Sequence, residues 1–172
     1  MGQFDAPSRC CSNSPLVFRW YGDPLSEVGL DLEVATRKFI SAIQNPSRIW
    51  TERIQKLACA EFRSRVKRAS EGRLRTYRQI KAVDIQNPPP LYELRWQNIG
   101  VLEDAGGGNY VPKEIQVRMY HSEPGSKPKH FIGHHIHEKK ILDKESTNLL
   151  QDQEIEIAKQ FYFQGESTLW GL

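Results

Sequence analysis

The sequence has few cysteines and no long apolar run, and each absence argues against a class of protein. Its cysteines are Cys10, Cys11 and Cys59, without a Cys-x-x-Cys spacing, so they do not form the pattern of a disulfide framework or a zinc site. No apolar run reaches the roughly 18 residues of a membrane-spanning helix. The first fifteen residues lack the apolar centre of a secretory signal peptide. We therefore expect a cytoplasmic protein without a membrane partner.

Positive charge is concentrated in one part of an otherwise balanced chain. The formal net charge of the 172 residues is only +3, which by itself does not indicate nucleic-acid binding. Between residues 63 and 81, however, eight basic residues accompany one acidic residue. In this basic segment we predict nucleic-acid contacts by Arg63, Lys67, Arg73, Arg75, Arg78 and Lys81. A solvated helix face has the same composition, so both interpretations stay open.

Hydrophobic periodicity predicts a strand, two helices, a run of strands and a last helix. Apolar residues recur at three- and four-residue steps over 32–43 and 49–66, which is typical of amphipathic helices. β-Branched and aromatic runs predict strands, and residues 154–163 predict the last helix after a polar linker at 141–152. The predicted strands are 16–21, 79–85, 91–96, 115–120 and 130–140.

This order of elements favours an α+β class, in which a helix pair precedes a small, mostly antiparallel sheet and a C-terminal helix follows it. We predict a single domain over 15–165, between a disordered extension at 1–14 and a loose tail at 166–172. Residues 103–112 contain Gly106-Gly107-Gly108 without the lysine of a phosphate-binding loop, and they predict a plain loop.

The strand at 130–140 contains the residues with the most distinctive chemistry. Since side chains alternate between the faces of a strand, His135, His137 and Lys139 share one face, and Lys140 follows them. Imidazoles exchange protons near neutral pH and ammonium groups hold anions, a combination that suits phosphodiester chemistry. Arg95 and Arg118 lie on the polar faces of other predicted strands, where they could grip a phosphate or simply form the exposed side of an amphipathic strand. Lys139 and Lys140 could likewise be charges that protect the edge of the sheet.

A metal site is the other chemistry that histidines suggest. His134, His135 and His137, with His130 or His121, could bind zinc through neutral imidazole. Alternation, however, directs His134 away from the other two, and no nearby Asp or Cys completes a tetrahedral set. We therefore predict no metal site and no cofactor.

Four motifs in order resemble the RelE/ParE toxin superfamily, and most closely its HigB-like, phage-associated branch. The ordered match covers about residues 76–163. The motifs are Leu91-Tyr92-Glu93-Leu94-Arg95, Val117-Arg118-Met119-Tyr120, His135-Ile136-His137-Glu138-Lys139-Lys140 and Gln153-Glu154-Ile155-Glu156-Ile157-Ala158. Ile136 and His137 stand where the branch has a glycine and an aromatic residue, and the chain is long for the family.

The resemblance implies a RelE-like toxin of a toxin–antitoxin pair, with a cognate antitoxin, mRNA and the ribosome as partners and no small-molecule cofactor. Many members cleave mRNA on the ribosome without a metal and so block translation, whereas ParE-like members inhibit DNA gyrase and are not nucleases. For a metal-independent endoribonuclease the candidate catalytic residues are Arg95, Arg118, Tyr120, His135, His137, Lys139 and Lys140. In these roles a histidine is the base, the cations hold the phosphate, and Tyr120 stacks on a base or donates its hydroxyl. A non-enzymatic toxin-like binder remains the alternative.

Overall fold

In the computed structural model, residues 7–23, 29–83, 87 and 89–172 are described. Residues 84 and 85 of one predicted strand and residues 1–6 of the predicted extension lie outside this part. The helices of the described chain are α1 (Asp31–Ile43), α2 (Glu52–Ser70) and α3 (Lys144–Glu166). Its strands are β1 (Val17–Trp20), β2 (Arg48–Ile49), β3 (Ile80–Ala82), β4 (Leu91–Asp104), β5 (Tyr110–Ser122) and β6 (His130–Lys139).

The six strands form one mixed sheet in the order β1-β6-β5-β4-β2, with β3 also paired to β4. β1 runs parallel to β6, and every other pairing is antiparallel. The predicted α+β class is therefore confirmed, with two helices before a mostly antiparallel sheet and a helix after it. No helix in the described ranges is both long enough and apolar enough to span a bilayer.

Helices cover both faces of the sheet. α1 and α2 bury the face that carries Trp96, whose ring stacks on Phe62 at 5.1 Å between centroids, while Phe62 stacks on Phe39 at 4.6 Å. Such offset aromatic stacks stabilise a core beyond the burial of their area. α3 packs on the opposite face through Ile155 and Ala158. Since Leu94 and Trp96 face α2, alternation directs Glu93 and Arg95 toward the α3 side.

The hairpin of β4 and β5 is longer than the sequence predicts. The predicted loop at 103–112 is wrong at both ends, because β4 continues to Asp104 and β5 begins at Tyr110. The β5 arm of this hairpin is exposed over its first five residues and lacks the apolar alternation by which we predicted strands, whereas on the β4 arm Ile99 and Val101 are buried. The connection has φ angles of 96°, 64° and 80° at Gly106, Gly107 and Gly108, left-handed conformations that favour glycine.

The last helix also begins earlier than predicted, so the linker at 141–152 is wrong from residue 144 onward. Asp143 caps the helix, since its side chain accepts a hydrogen bond from the Ser146 amide at 3.0 Å. The first turns expose Leu149, which left no apolar stripe for the sequence to reveal. This extra length carries polar side chains over the sheet.

Both ends of the described chain pack against the rest of the protein, whereas we predicted a disordered extension at 1–14 and a loose tail at 166–172. Cys10 is fully buried, and its carbonyl accepts from the Leu74 amide at 3.0 Å, so residues 7–14 are held against the domain. In the predicted loose tail, Trp170 is 4% exposed and packs on Tyr162 at 5.1 Å between ring centroids. Neither segment shows a periodic apolar pattern, so the sequence offered no sign of this packing.

Candidate active site

Pairing of the strands brings the predicted catalytic residues together on the face that α3 covers. Residues opposite each other in paired strands share a face, and two polar rows cross β4, β5 and β6 side by side. The first row contains Glu93, Tyr120 and His135, and the second contains Arg95, Arg118 and His137. Lys139, opposite Gln116, continues this polar face, and Lys140 follows at the end of β6. The predicted sharing of one face by His135 and His137 is confirmed, since their rings stack at 5.9 Å.

Glu93 is the centre of the polar face, although we predicted no role for it from its place in the sequence. It is fully buried, and one carboxylate oxygen accepts from Arg95 Nε at 2.6 Å. Arg118 Nε lies 3.3 Å from the same oxygen and forms an ion pair with it. The other carboxylate oxygen accepts from the Gln151 side chain of α3 at 3.0 Å. A buried charge requires such partners, because isolating it from water costs several kcal/mol.

Arg118 is an internal group rather than a surface cation in this arrangement. It is 2% exposed, and its guanidinium donates to the carbonyls of Trp96 at 3.2 Å and Val117 at 2.9 Å. Burial lowers the pKa of Arg118, and the charge of Glu93 opposes that effect. Arg95 is more accessible, with 19% of its side chain exposed. Of these two predicted phosphate ligands, Arg95 alone has exposed side-chain surface that a bound molecule can reach.

His135 forms a pair with an acidic residue of α3. Its Nε2 donates to a carboxylate oxygen of Glu154. This hydrogen bond lowers the pKa of Glu154, with burial acting in the opposite direction. With Nε2 holding the proton toward Glu154, Nδ1 carries the lone pair of the neutral ring. The pair is therefore a histidine oriented by a carboxylate, the arrangement in which an imidazole serves as a general base.

His137 is held in place by its neighbours. Its Nδ1 lies 3.2 Å from the carbonyl of Glu138, which can only accept, so Nδ1 carries the proton and Nε2 accepts from the Tyr120 hydroxyl at 3.3 Å. Burial lowers the pKa of His137 to about 4, so the ring is neutral at pH 7. Burial also raises the pKa of Tyr120, which keeps its hydroxyl protonated. Both ring nitrogens of His137 are thus occupied within the protein.

A small pocket opens beside this face between β6 and α3. It has a volume of about 60 Å³, and its lining includes His137, Lys139, Lys140, Gln151 and Glu154. Ligand pockets for drug-sized molecules are usually several hundred Å³, so this one admits a phosphate-sized group and leaves a nucleoside outside. Burial and the nearby Arg118 charge lower the pKa of Lys139. A larger groove of about 620 Å³, between α2 and the β4–β5 hairpin, is mainly apolar and contains none of the predicted residues.

The six predicted nucleic-acid contacts of the basic segment are all exposed. They lie on α2, on the connection to β3 and on β3 itself. Among the described residues, Arg73 forms an ion pair with Glu71 at 3.5 Å, and Arg63 Nε donates a hydrogen bond to the Thr36 hydroxyl at 3.3 Å. Lys81 lies opposite Glu93 in the pairing of β3 with β4, so it is on the same sheet face as the candidate site. The basic segment therefore adjoins the polar face at this lysine.

The histidines of β6 do not assemble a metal site in the described ranges. His134 is fully buried beneath α3, where its ring packs on Tyr162 at 5.9 Å between centroids, and Ser122 and the Tyr21 carbonyl bind its two ring nitrogens at 2.8 Å each. The prediction that His134 points away from His135 and His137 is wrong, because the pairing of β5 with β6 shifts register at this point and leaves His134 as an extra residue that breaks the alternation. The group of potential metal ligands that does meet in the described chain is Cys10, His121 and Glu123, away from the polar face.

Comparisons with protein-family models, with curated proteins and with solved structures give no match for this chain. The α+β assignment therefore rests on the structure itself, and the resemblance to RelE-like toxins stays a prediction from the four motifs.

Proposed function

We propose that the protein is a toxin of a toxin–antitoxin pair that acts in the cytoplasm as a metal-independent, ribosome-dependent mRNA endoribonuclease. The observation that carries the proposal is the His135–Glu154 pair, because its Glu154 lines the pocket between β6 and α3 together with Lys139 and Lys140. A base, its orienting carboxylate and two cations are the groups that cleavage of an RNA phosphodiester requires without a metal. The four ordered motifs support the same conclusion.

In the proposed reaction, His135 Nδ1 takes the proton of a ribose 2′-hydroxyl, and the 2′-oxygen attacks the adjacent phosphorus. Glu154 accepts from Nε2 throughout and stabilises the imidazolium that forms. The bond between phosphorus and the 5′-oxygen breaks, and the products are a 2′,3′-cyclic phosphate and a 5′-hydroxyl. His135 is favoured over His137 as the base because both nitrogens of His137 are already hydrogen-bonded.

The two lysines divide the remaining roles. Lys140 is exposed, and its ammonium can meet the phosphate as negative charge develops on its oxygens. Lys139 has a pKa lowered by burial, which makes it the better proton donor to the departing 5′-oxygen. Arg95, Arg118 and Tyr120 act indirectly in this scheme, since Glu93 and neighbouring groups bind them. They position the strands that carry His135 and the lysines.

The size of the pocket and the charge of the basic segment suggest how the substrate is presented. A phosphate-sized pocket does not enclose a base, so the message must be held by something other than the pocket itself. The ribosome can hold the message, and exposed arginines and lysines of the basic segment can bind ribosomal RNA through its phosphates. A cognate antitoxin would then inhibit the protein by covering these cations.

One observation favours the non-enzymatic alternative. Glu93 neutralises Arg95 and Arg118 inside the protein, and α3 lies over part of the polar face. A toxin-like binder, for example one that inhibits DNA gyrase, would use the exposed cations without any chemistry at His135.

The test is a cell-free translation reaction with the purified full chain, followed by primer extension on the message. We expect discrete cuts that require ribosomes. His135→Ala should reduce the cleavage rate by about 100- to 10,000-fold, the usual contribution of a general base. Lys140→Ala should also slow cleavage. The matched controls are His130→Ala at the start of β6 and Lys129→Ala just before it, which change the same residue types away from the site and should cleave like the wild type.

The outcomes separate the candidates. Cuts on naked RNA would keep the nuclease and remove the ribosome from the proposal. An intact message with a toxic wild-type protein, or full cleavage by a folded His135→Ala protein, would overturn the proposed endoribonuclease. If the message stays intact while the wild-type protein is toxic, a gyrase supercoiling assay would test whether the protein inhibits DNA gyrase.

A further inference from the structure

The N-terminal segment and the end of β5 bring together three side chains of the types that bind metal ions. They are Cys10, His121 and Glu123, which we call the N-terminal cluster. Cys10 and His121 are fully buried, and the Glu123 side chain is 4% exposed. More than a hundred residues of chain separate Cys10 from the other two, so the fold, and no local motif, assembles the cluster.

The separations of the ligand atoms suit a tetrahedral ion. Cys10 Sγ lies 3.8 Å from His121 Nε2, which lies 3.1 Å from a Glu123 oxygen, and the three atoms are all within 4.8 Å of one another. Around zinc, with sulfur at about 2.3 Å and nitrogen or oxygen at about 2.0 to 2.2 Å, the corresponding edges are about 3.6 Å and about 3.4 Å. Two of the three separations are therefore within a few tenths of an ångström of the tetrahedral values, and the third, between Cys10 Sγ and the Glu123 oxygen, is at most 4.8 Å.

Hydrogen bonding explains part of the cluster and leaves Cys10 unexplained. Glu123 accepts from the Ser8 hydroxyl, from the Arg9 amide at 2.7 Å and from His121, which ties the N-terminal segment to β5. The Cys10 thiol lies 3.8 Å from His121 Nε2 and also interacts with the Ser8 and Glu123 side chains, so its sulfur is surrounded by polar groups. A buried cysteine that serves for packing alone behaves as a small apolar residue, and such a residue needs neither an imidazole nor a carboxylate beside its sulfur.

We propose that Cys10, His121 and Glu123 bind a zinc-class divalent cation. A thiolate, an imidazole and a carboxylate form a borderline-soft ligand set that suits Zn²⁺ and excludes Mg²⁺ or Ca²⁺ as the preferred ion. On binding, the Cys10 thiol loses its proton to solvent and His121 binds through Nε2 as the neutral ring. Among the described residues, these three side chains are the ligands that the protein supplies.

The role of the ion would be structural and separate from the proposed cleavage. His121 shares a sheet face with its pairing partner Tyr92, which belongs to the core beneath α1 and α2, whereas the polar face lies on the other side. The ion would join the N-terminal segment to the sheet. Metal binding at this cluster therefore does not depend on whether the protein cleaves RNA.

The experiment uses the full chain, stripped of metal with a chelator and then titrated with Co²⁺ as a spectroscopic probe for zinc. We expect one cobalt ion per chain, with the near-ultraviolet thiolate-to-cobalt charge-transfer band and the visible bands of a tetrahedral site. Zn²⁺ should displace the cobalt stoichiometrically and raise the Tm. Cys10→Ser should lose the charge-transfer band and the zinc-dependent rise in Tm. Cys59→Ser is the matched control, because Cys59 lies on α2 outside the cluster, and it should retain both.

The wild-type spectrum decides the proposal even where a variant fails to fold. A wild-type protein that binds no stoichiometric cobalt, or that gives a spectrum without the thiolate band, would show that the cluster is hydrogen-bonded only. A band that persists in a folded Cys10→Ser protein would also overturn the assignment, since another cysteine would then be the ligand.

Discussion

Replacing Glu93 by glutamine removes the charge at the centre of the polar face and keeps the size of the side chain. Two cations then lose their counter-charge: Arg118, which is 2% exposed, and Arg95, which can still turn toward water. Breaking a buried ion pair by removing one partner costs about 3 to 5 kcal/mol. In a chain of this size each kcal/mol lowers the Tm by about 2 to 4 °C, so we expect a fall of about 6 to 20 °C.

The assays are thermal unfolding, which measures the Tm, and urea unfolding, both followed by circular dichroism, with the slope m of the urea transition checked for constancy. Glu52→Gln is the matched control, because Glu52 pairs with Lys56 on the exposed surface of α2 and surface pairs contribute little. The double variant Glu93→Gln/Arg118→Met removes both buried charges and should recover part of the lost stability. If Glu93→Gln unfolds at the same urea concentration as Glu52→Gln, or if the double variant is no more stable than the single one, the proposed role of Glu93 is refuted.

Three further predictions concern pH, the C-terminal tail and the basic segment. His137 has a folded pKa of about 4, below the ordinary value, so the unfolded chain binds more protons between about pH 6.5 and pH 4. Stability should therefore be complete above this window and decrease by about 3 kcal/mol as the pH falls through it. Gly165→Ala should displace Trp170, because a Cβ at residue 165 would lie 2.2 Å from the indole, and tryptophan fluorescence should shift to the red. Replacing Arg73, Arg75 and Arg78 by glutamine should weaken RNA binding and lower the salt slope by about 0.7 for each phosphate that the variant no longer neutralises.

Each of these has a control. The pH prediction is checked by urea unfolding at several pH values, in which the stability of His137→Gln should depend less on pH than that of the wild type. An equal pH dependence of the two stabilities would contradict the role of His137. The control for the C-terminal tail is Gly125→Ala, which should leave the tryptophan emission unchanged because nothing lies within 4 Å of a Cβ there. If Gly165→Ala also leaves the emission unchanged, the predicted displacement of Trp170 is wrong. Fluorescence anisotropy with a labelled RNA measures the third, with Arg53→Gln at the start of α2 as the control. If the triple variant and this control have the same RNA affinity and the same salt slope, the basic segment does not bind RNA.

The polar face could be predicted because strand alternation is a local rule. From the sequence, His135, His137 and Lys139 share one side of their strand, and Arg95 and Arg118 lie on polar sides of theirs. The pairing of β4, β5 and β6 then brings them together. The sequence could not reveal that Arg118 is buried, because its partners include Glu93 and the Trp96 carbonyl, which belong to the neighbouring strand.

The acidic partners of the site were missed for different reasons. Glu93 lies two residues before Arg95 on the same face, so alternation could have identified it, but its charge suggested an exposed residue. Glu154 comes from a helix that begins ten residues earlier than predicted, since its first turns lack an apolar stripe. The cap formed by Asp143 and the acidic Glu145 after it were the available signals for that beginning.

The ends of the chain depend on contacts that no periodicity records. Cys10 is buried because the segment around it hydrogen-bonds to residues after α2, such as Leu74. Trp170 folds back over Gly165, where the missing side chain leaves room for its ring. Single contacts of this kind between distant residues are invisible to patterns read along a sequence.

The chemical nature of the cleaved ends tests the central claim most directly. Message cut in the translation reaction should be analysed for its termini by mass spectrometry and by its dependence on phosphatase and kinase treatment. Attack by the 2′-hydroxyl under base catalysis by His135 gives a 2′,3′-cyclic phosphate, or the 3′-phosphate from its hydrolysis, and a 5′-hydroxyl. Ends that carry a 3′-hydroxyl and a 5′-phosphate would contradict the account, because they require attack by water instead of by the ribose.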